Sequence, residues 1–178
     1  MTNNIEVEIR SFISKEKYGE LLEFFMENAK LTKEDYQETH YLKTKHDLRI
    51  QKNNSSAKIW MKSGKIHDDM REEIEIHFSK DDFPKIQDIF NNIDIVPEIK
   101  WFRQRSQFQW KDITVSLDYT KGYGYIIELE KMCSNKDKDS ALKDLKKKMQ
   151  KLKIKITPKE EFEKKYVYYK ENWESLIE

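Results

Sequence analysis

The sequence has few of the residues that cross-link or interrupt a chain. Its 178 residues include a single cysteine, Cys133, with only four glycines and three prolines. One cysteine excludes a disulfide within the chain, which is typical of proteins kept in a reducing cytosol. Because no linker or internal repeat divides the sequence, we predict a single domain over residues 1–178.

Long apolar runs and a strong net charge are missing as well. The apolar runs are too short to span a bilayer, and Met1–Asn4 leads into a strand pattern without the apolar core of a signal peptide. We therefore expect a cytoplasmic protein with no membrane partner. The 34 basic and 33 acidic residues leave a formal charge of +1, which argues against a broad nucleic-acid-binding surface.

What the sequence has in abundance is charge of both signs together with aromatic residues. Charged residues make up 38% of the chain and aromatic residues 12%. Disordered chains that are rich in charge are usually poor in aromatics. The composition therefore indicates a folded protein that has to accommodate many charged side chains.

Hydrophobic periodicity predicts eight strands interrupted by four helices. The predicted strands are Ile5–Phe12, Tyr36–Lys43, Asp47–Gln51, Ala57–Lys62, Arg71–Phe78, Ile99–Trp110, Ile113–Asp118 and Tyr125–Lys131. The predicted helices are Lys15–Lys30, Asp81–Asn91, Lys138–Leu152 and Pro158–Ile177. This order is not the regular alternation of a parallel sheet, so it favours an antiparallel α+β fold.

Charged residues recur at every second position of the strands and therefore share a face. Three of these repeats are pairs of carboxylates two residues apart: Glu6/Glu8, Glu73/Glu75 and Glu128/Glu130. A sheet with one wet face explains any single pair. Three pairs of like charges call for a further cause, and a hard divalent cation such as Mg²⁺ or Mn²⁺ would make them favourable.

The same face collects equal numbers of acids and bases. The acids are Glu6, Glu8, Glu73, Glu75, Asp118, Glu128 and Glu130, and the bases are Arg10, Arg49, Lys58, Lys62, Arg71, Arg103 and Arg105. An eight-stranded barrel has an interior just wide enough for side chains or one small ligand, and charges buried there need partners. We predict a closed eight-stranded antiparallel β-barrel with helices packed outside, whose interior binds a metal-bound polyphosphate.

Six segments in order resemble the CYTH superfamily of triphosphate tunnel metalloenzymes. Glu6-Val7-Glu8-Ile9-Arg10 resembles the family's Glu-x-Glu-x-Lys signature, and Asp118 followed by Gly124-Tyr125-Ile126-Ile127-Glu128-Leu129-Glu130 is similar to its Asp…Gly-x-x-x-Glu-x-Glu ending. The other four segments are Leu48–Gln51, Ile59–Gly64, Arg71–Glu75 and Arg103–Phe108.

The resemblance implies a role for each matching residue. The metal-facing residues would be Glu6, Glu8, Asp118, Glu128 and Glu130, with Glu75 in support. Glu6, Glu8, Arg10 and Glu73 would carry the catalytic step, in which Glu6 or Glu73 positions the attacking water. The phosphate-binding residues would be Arg10, Arg49, Lys62, Arg71, Arg103 and Arg105, and the strand pattern adds Lys58.

Three positions depart from the family pattern and bear on substrate choice. Arg10 stands in place of a lysine, which keeps the charge but changes its geometry. Gln51 stands where a second arginine is usual, and Thr39 stands where an aspartate is common.

The expected function is hydrolysis of a triphosphate with Mg²⁺ or Mn²⁺ as the cofactor. The substrate would be inorganic tripolyphosphate, a nucleoside triphosphate or thiamine triphosphate. Three alternatives stay open: a class IV adenylyl cyclase, an RNA 5′-triphosphatase and a non-catalytic polyphosphate or nucleotide sensor. An RNA 5′-triphosphate end would then be the only nucleic-acid partner, and a homodimer is an open alternative to the monomer.

Two features are interpreted without a catalytic role. The lysine run of residues 143–155 has apolar residues at helical spacing, which predicts a solvated amphipathic helix packed on the barrel rather than an RNA or membrane patch. The four histidines have no metal-binding spacing and are expected on the surface or the tunnel rim; they are His40, His46, His67 and His77.

Overall fold

The computed structural model describes residues 4–62 and 73–178. Its strands are β1 (Asn4–Ile13), β2 (Lys30–Leu42), β3 (Asp47–Lys52), β4 (Ala57–Lys62), β5 (Glu73–Phe78), β6 (Pro97–Trp110), β7 (Ile113–Thr120) and β8 (Gly124–Ser134). Its helices are α1 (Lys15–Asn28), α2 (Phe83–Asn92), α3 (Lys138–Lys151) and α4 (Lys159–Leu176). Within these ranges no helix is both long and apolar enough to cross a membrane.

The eight strands belong to one sheet in the order β1-β8-β7-β6-β2-β3-β4-β5. The pairings β1–β8, β2–β3, β3–β4, β4–β5 and β7–β8 are all antiparallel. This confirms the predicted α+β class with eight antiparallel strands. The hydrogen-bonded order begins at β1 and ends at β5, and its closure into a barrel stays a prediction.

The chain divides into two compact units, each with its own core. Unit 1 consists of Met1–Glu34 and Gln104–Tyr168, and unit 2 consists of Asp35–Arg103 and Tyr169–Glu178. The prediction of a single domain over residues 1–178 stays a prediction.

The core of unit 1 lies between its strands and the helices α1 and α3. Val7 of β1 and Leu129 of β8 are buried there, on the opposite face from their charged neighbours. Phe25 of α1 is fully buried, with its ring 5.6 Å from Phe108 and 5.4 Å from Trp110. In this unit the helices cover the apolar face of the strands, as the sequence predicts.

The core of unit 2 is smaller and forms where α2 covers β3 and β4. Ile50, Ala57 and Phe83 are buried in it. The prediction of a covered apolar face is wrong for β5, because Ile74 and Ile76 are 63% and 62% exposed. The residues of α2 pack against β3, β4 and the far end of β5, so this part of β5 lies outside the core cluster.

Capping residues set the ends of two helices. The side chain of Ser14 accepts a hydrogen bond from the backbone N–H of Lys17 at 3.1 Å and caps the start of α1. The second helix is predicted to begin at Asp81. The side chain of Ser79 accepts from the N–H of Asp81 and caps a single 3₁₀ turn there, so α2 begins at Phe83 instead.

Candidate functional site

Four glutamates of unit 1 lie on one face of the β1–β8 pair. In the register of these strands Glu8 is directly opposite Glu130, and Arg10 is directly opposite Glu128. Directly paired residues of antiparallel strands point to the same face, and Glu6 shares the parity of Glu8. We call Glu6, Glu8, Glu128 and Glu130 the acidic face.

The carboxylates of the acidic face repel one another. Partial burial raises the pKa of Glu130, and the charges of Glu6, Glu128 and Glu8 raise it further, while Arg105 opposes the shift. Like charges directly opposite in a sheet are destabilising. A bound cation would therefore be favourable at this place.

A buried ion pair borders the acidic face. Arg105 of β6 donates from Nε to Oδ1 of Asp118 at 2.8 Å and from Nη2 to Oδ2 at 2.7 Å. Asp118 is only 4% exposed, and Nη2 of Arg105 also lies 3.5 Å from Oε1 of Glu128. Burial alone would lower the pKa of Arg105, but the hydrogen bonds and charge of Asp118, with the charges of Glu128 and Glu130, raise it.

This ion pair bears on the predicted roles of Asp118 as a metal ligand and of Arg105 as a phosphate ligand. Both carboxylate oxygens of Asp118 already accept hydrogen bonds from Arg105, so a metal at Asp118 would compete with the guanidinium. In the structure Asp118 therefore orients Arg105, which keeps its full charge beside the acidic face.

The first half of α4 contacts the same polar face beyond Arg10. The guanidinium of Arg10 lies 4.9 Å from the ring centre of Phe162, and Phe162 stacks on Phe12 at 4.3 Å. The ammonium of Lys165 lies 4.0 Å from the ring centre of Phe12, and burial lowers the pKa of Lys165. Arg10 itself is exposed and borders both the acidic face and α4.

The acidic face has the donor chemistry of a hard-cation site. All its ligand atoms are carboxylate oxygens, which Mg²⁺ and Mn²⁺ prefer. Among the residues that the structure describes, no three His, Cys, Asp or Glu side chains already stand close enough together to hold an ion. A cation would thus draw the glutamate side chains together against their mutual repulsion.

Unit 2 contains most of the predicted basic residues, beginning with Arg49 on β3. Its Nε and Nη2 donate to the two carboxylate oxygens of Asp47 at 2.6 and 2.7 Å. Its guanidinium also stacks on the ring of Tyr41 at 4.2 Å and lies 5.8 Å from that of Trp60. These contacts hold the guanidinium in one plane, as bidentate binding of an oxyanion requires.

Lys58 and Glu75 form an ion pair between β4 and β5. Nζ of Lys58 lies 2.5 Å from Oε2 of Glu75 and 4.6 Å from the ring centre of Trp60. His77 contacts the other oxygen of Glu75. The hydrogen bond from Lys58 lowers the pKa of Glu75. Glu75, which the resemblance implies as a supporting metal-facing residue, is therefore paired with Lys58 within unit 2.

Two further polar contacts of unit 2 involve predicted or divergent positions. Arg103 donates from Nε and Nη2 to Oε1 of the buried Gln37 at 2.9 and 2.5 Å. Gln51 donates to Thr39 Oγ1 at 2.7 Å, and the two residues are directly opposite in the β2–β3 register. The two departures Thr39 and Gln51 thus form one neutral pair.

The remaining predicted residues lie at the edge of the described structure. Lys62 and Glu73 are opposite each other in the backbone register of β4 and β5. Arg71 and His67 lie outside the described residues.

Four polar residues on the same strand faces were not predicted as site residues. Asp47 and Tyr41 orient Arg49, Gln37 binds Arg103, and Asp35 accepts a hydrogen bond from Gln37 at 3.0 Å. Asp47, Tyr41 and Gln37 each stand two residues, or a directly paired position, from a predicted or divergent site residue, and Asp35 stands two residues from Gln37. The same parity argument that selected the charged residues would have found them.

A buried polar network lies on the other face of β2, against α2. His40 is fully buried, which corrects the expectation of a surface or tunnel-rim position. Its Nε2 lies 2.7 Å from Oε1 of Glu38 and its Nδ1 lies 3.2 Å from the side-chain nitrogen of Gln87. Lys52 binds the other oxygen of Glu38 at 2.9 Å.

This network makes the stability of the protein depend on pH. Burial opposes ionisation of Glu38, but hydrogen bonds from His40 and Lys52 prevail and lower its pKa from 4.5 to about 2. Because the folded-state pKa is lowered, the stabilisation is complete above about pH 5 and is lost as the pH falls from 4.5 towards 2. We expect the free energy of unfolding to fall by about 2 kcal/mol in this range on account of Glu38.

Urea unfolding at several pH values checks this prediction. Glu38→Gln should be less stable than the wild type at neutral pH and should lose less stability on acidification. The control is Glu23→Gln on the exposed surface of α1, which should follow the wild type. An unchanged acid dependence in Glu38→Gln would contradict the assignment.

Comparison with known proteins supplies a family match. The model of the CYTH domain matches residues 4–167, a range that contains the acidic face, the Arg105–Asp118 pair and the predicted basic residues. No curated protein matches the sequence.

Several solved structures share the fold. A conserved hypothetical protein from Pyrococcus furiosus is 19% identical, with a TM-score of 0.65, over 85% of this chain and 92% of that one. The PH1819 protein of Pyrococcus horikoshii is 21% identical, with a TM-score of 0.63, over 85% and 92%. A proposed adenylate cyclase from Bacillus halodurans is 18% identical, with a TM-score of 0.60, over 89% and 95%.

Proposed function

Since this chain belongs to the CYTH domain family, we propose that it is a metal-dependent triphosphatase that binds its substrate between the acidic face and basic side chains of the same sheet. The proposal includes closure of that sheet into a barrel, which would bring the polar faces of all eight strands around one ligand. It also includes the assignment of a cytoplasmic location.

The observation that carries the proposal is that four carboxylates share one face beside a fixed guanidinium. Glu8 and Glu130 are directly opposite each other, and Arg105 is held beside them by Asp118. This arrangement is unfavourable alone and becomes favourable when a cation and an anion bind together. A divalent metal with a phosphate chain is a ligand of that kind.

In the proposed hydrolysis, the acidic and the basic side chains have different roles. Glu6, Glu8, Glu128 and Glu130 would hold Mg²⁺ or Mn²⁺, which supplies Lewis-acid stabilisation of the phosphate oxygens when bound. Arg105 and Arg10 would neutralise charge on the transferred phosphoryl group and the leaving group. A glutamate of the acidic face that is not engaged by the cation would orient the attacking water.

The phosphate-binding residues predicted in unit 2 are held by neighbours within that unit. Arg49 is oriented for an oxyanion by Asp47 and Tyr41, and Arg103 is oriented by Gln37. Lys58 would exchange Glu75 for phosphate, because lysine binds phosphate as a compact point charge. Lys62, Arg71, Glu73 and Glu75 complete the proposed set on the basis of the sequence.

A second candidate function is an adenylyl cyclase. Proteins that share the fold and are described as proposed adenylate cyclases occur in Bacillus halodurans and Vibrio parahaemolyticus. A cyclase would hold the triphosphate in the same way and use the ribose 3′-hydroxyl of ATP as the nucleophile instead of water. The same charged side chains could serve either reaction, so a triphosphatase and a cyclase are distinguished by their products.

Product analysis tests the proposal. The purified protein should release orthophosphate from tripolyphosphate, ATP or thiamine triphosphate with Mg²⁺ or Mn²⁺, and excess EDTA should abolish the release. Formation of cyclic AMP and pyrophosphate from ATP would support the cyclase instead. Tight metal-dependent triphosphate binding without turnover would indicate a sensor and contradict the proposed hydrolysis.

A further inference from the structure

A groove of about 450 Å³ lies in unit 1, on the side of the strands that α1 and α3 cover. Its wall is formed by α1, α3 and the turn between β6 and β7, and two acidic residues, Glu20 and Asp144, contribute to it. Its six lysines are Lys17, Lys111, Lys147, Lys148, Lys151 and Lys153. This lysine groove has a formal excess of four positive charges, whereas the whole chain has an excess of one.

Among the described residues, ion pairs account for two of the six lysines. Lys17 pairs with Glu20 at 3.0 Å, and Lys148 pairs with Asp144 at 2.5 Å. In the part of the chain that the structure describes, the other four lysines have no carboxylate partner, and all four are exposed; they are Lys111, Lys147, Lys151 and Lys153. Four unpaired ammonium groups around one groove repel each other and favour an anionic ligand.

The preference for basic residues at the C-terminal end of a helix explains only some of the groove lysines. The C-terminal turn of a helix favours basic residues, which accounts for Lys151 of α3. It does not account for Lys111, which lies in a turn between strands, or for the repulsion between Lys147 and Lys151 one helical turn apart. The lysines come from three separate segments and meet only in the fold.

Two of these lysines occupy backbone positions that favour glycine. Lys111 has φ of 56° and Lys153 has φ of 57°, in the left-handed region. Lys153 directly follows the C-cap residue Leu152, where its N–H donates to the carbonyl of Gln150 at 2.9 Å. Glycine is the usual residue there, because a side chain is strained in this conformation. Strained backbone retained at the edge of one groove points to a use for the side chains.

The floor of the lysine groove is aromatic. Phe24 is 37% exposed, and its ring lies edge-on to that of Trp110 at 5.9 Å. The ammonium of Lys111 already lies 5.3 Å from the ring centre of Trp110. A flat apolar ring could therefore lie on Phe24 while phosphates of the same ligand contact the lysines.

We propose that the lysine groove binds a nucleotide, with its phosphates on Lys111, Lys147, Lys151 and Lys153 and its base against Phe24. The site is separate from the acidic face. Trp110 and Leu21, which line the groove, belong to the core on the reverse side of the strands. Nucleotide binding in the lysine groove is therefore independent of hydrolysis at the acidic face.

Lysine footprinting by mass spectrometry locates the ligand directly. The protein is acetylated in EDTA with and without ATP, and the four unpaired groove lysines should be protected by ATP. Exposed Lys136, outside the groove, should be acetylated equally in both samples. Tripolyphosphate at the same concentration should protect them less. Equal protection by tripolyphosphate would overturn the nucleotide assignment, and no protection by either ligand would overturn the site.

Glycine variants separate binding from folding. Lys111→Gly/Lys153→Gly removes two charges and relieves two left-handed side chains, so its melting temperature should equal or exceed that of the wild type. The variant should bind ATP at the groove at least tenfold more weakly, as judged by the ATP concentration that protects Lys147 and Lys151. The control Lys136→Ala/Lys159→Ala removes the same charge elsewhere in unit 1 and should keep wild-type protection. Unchanged protection in the glycine variant would contradict the proposal.

Discussion

Glu130→Gln is expected to abolish metal-dependent phosphate release while leaving the fold intact. Glu130 faces Glu8 across the strand pair, and its pKa is raised by burial and by the charges of Glu6, Glu128 and Glu8. A glutamine keeps the shape of the side chain but removes an anionic ligand of the metal. We expect turnover to fall by at least about 100-fold, which corresponds to about 2.7 kcal/mol of transition-state stabilisation.

The stability of the same variant distinguishes a ligand from a structural residue. Because Glu130 is repelled by three carboxylates, its neutralisation should leave the free energy of unfolding unchanged or raise it in the absence of metal. Adding Mn²⁺ should stabilise the wild type more than the variant, since a ligand that binds only the folded state raises its stability. The exposed control Glu23→Gln should match the wild type in both assays. Near-normal turnover by Glu130→Gln would refute the role of the acidic face.

Asp118→Asn is expected to damage both the fold and the activity. Asp118 is almost completely buried and accepts two hydrogen bonds from Arg105, so its neutralisation leaves a buried guanidinium without its main counter-charge. Breaking one side of a buried ion pair costs about 3 kcal/mol. Urea unfolding should show this loss, and triphosphate binding should weaken because Arg105 loses its fixed orientation.

A double variant separates the two effects. Arg105→Met/Asp118→Leu removes both charges and should recover more than half of the stability lost in Asp118→Asn, because apolar pairs can replace buried ion pairs. It should remain inactive, since the phosphate ligand is gone. If the double variant were active, Arg105 would have no part in catalysis. If Asp118→Asn were as stable as the wild type, the buried pair would not hold the site together.

Residue parity predicted the strand faces because it is a local property. Every second residue of an extended chain points the same way, so Glu6 and Glu8 could be separated from Val7 without knowledge of the fold. The burial of Val7 and Leu129 confirms this division. The choice of partner strands is not local, and the pairing of β1 with β8 was not predicted.

The misplaced boundaries have non-local causes as well. β2 begins at Lys30 rather than Tyr36, because its first residues are extended without an alternating apolar pattern, and Thr32 there donates to the carbonyl of Gln107 on β6 at 3.0 Å. The exposure of Ile74 depends on where α2 lies, which alternation within β5 does not encode.

The sequence predicted which residues form the candidate site, but it did not predict which of them contact each other. The family resemblance implied that Asp118 is a metal ligand, whereas the structure pairs it with Arg105. The sequence patterns selected Arg49 but not Asp47, which fixes its plane. Pairing among charged side chains depends on distances across strands, and several partners of opposite sign were available to each group. The identity of the charged set could therefore be predicted, while its internal pairing could not.

Anomalous diffraction from crystals soaked with Mn²⁺ and tripolyphosphate tests the central claim most directly. We predict a manganese peak at about 2.2 Å from carboxylate oxygens of the acidic face, including at least one of Glu8 and Glu130, with phosphate density beside Arg105. Well-ordered tripolyphosphate elsewhere on the protein, with no manganese at these glutamates, would contradict it.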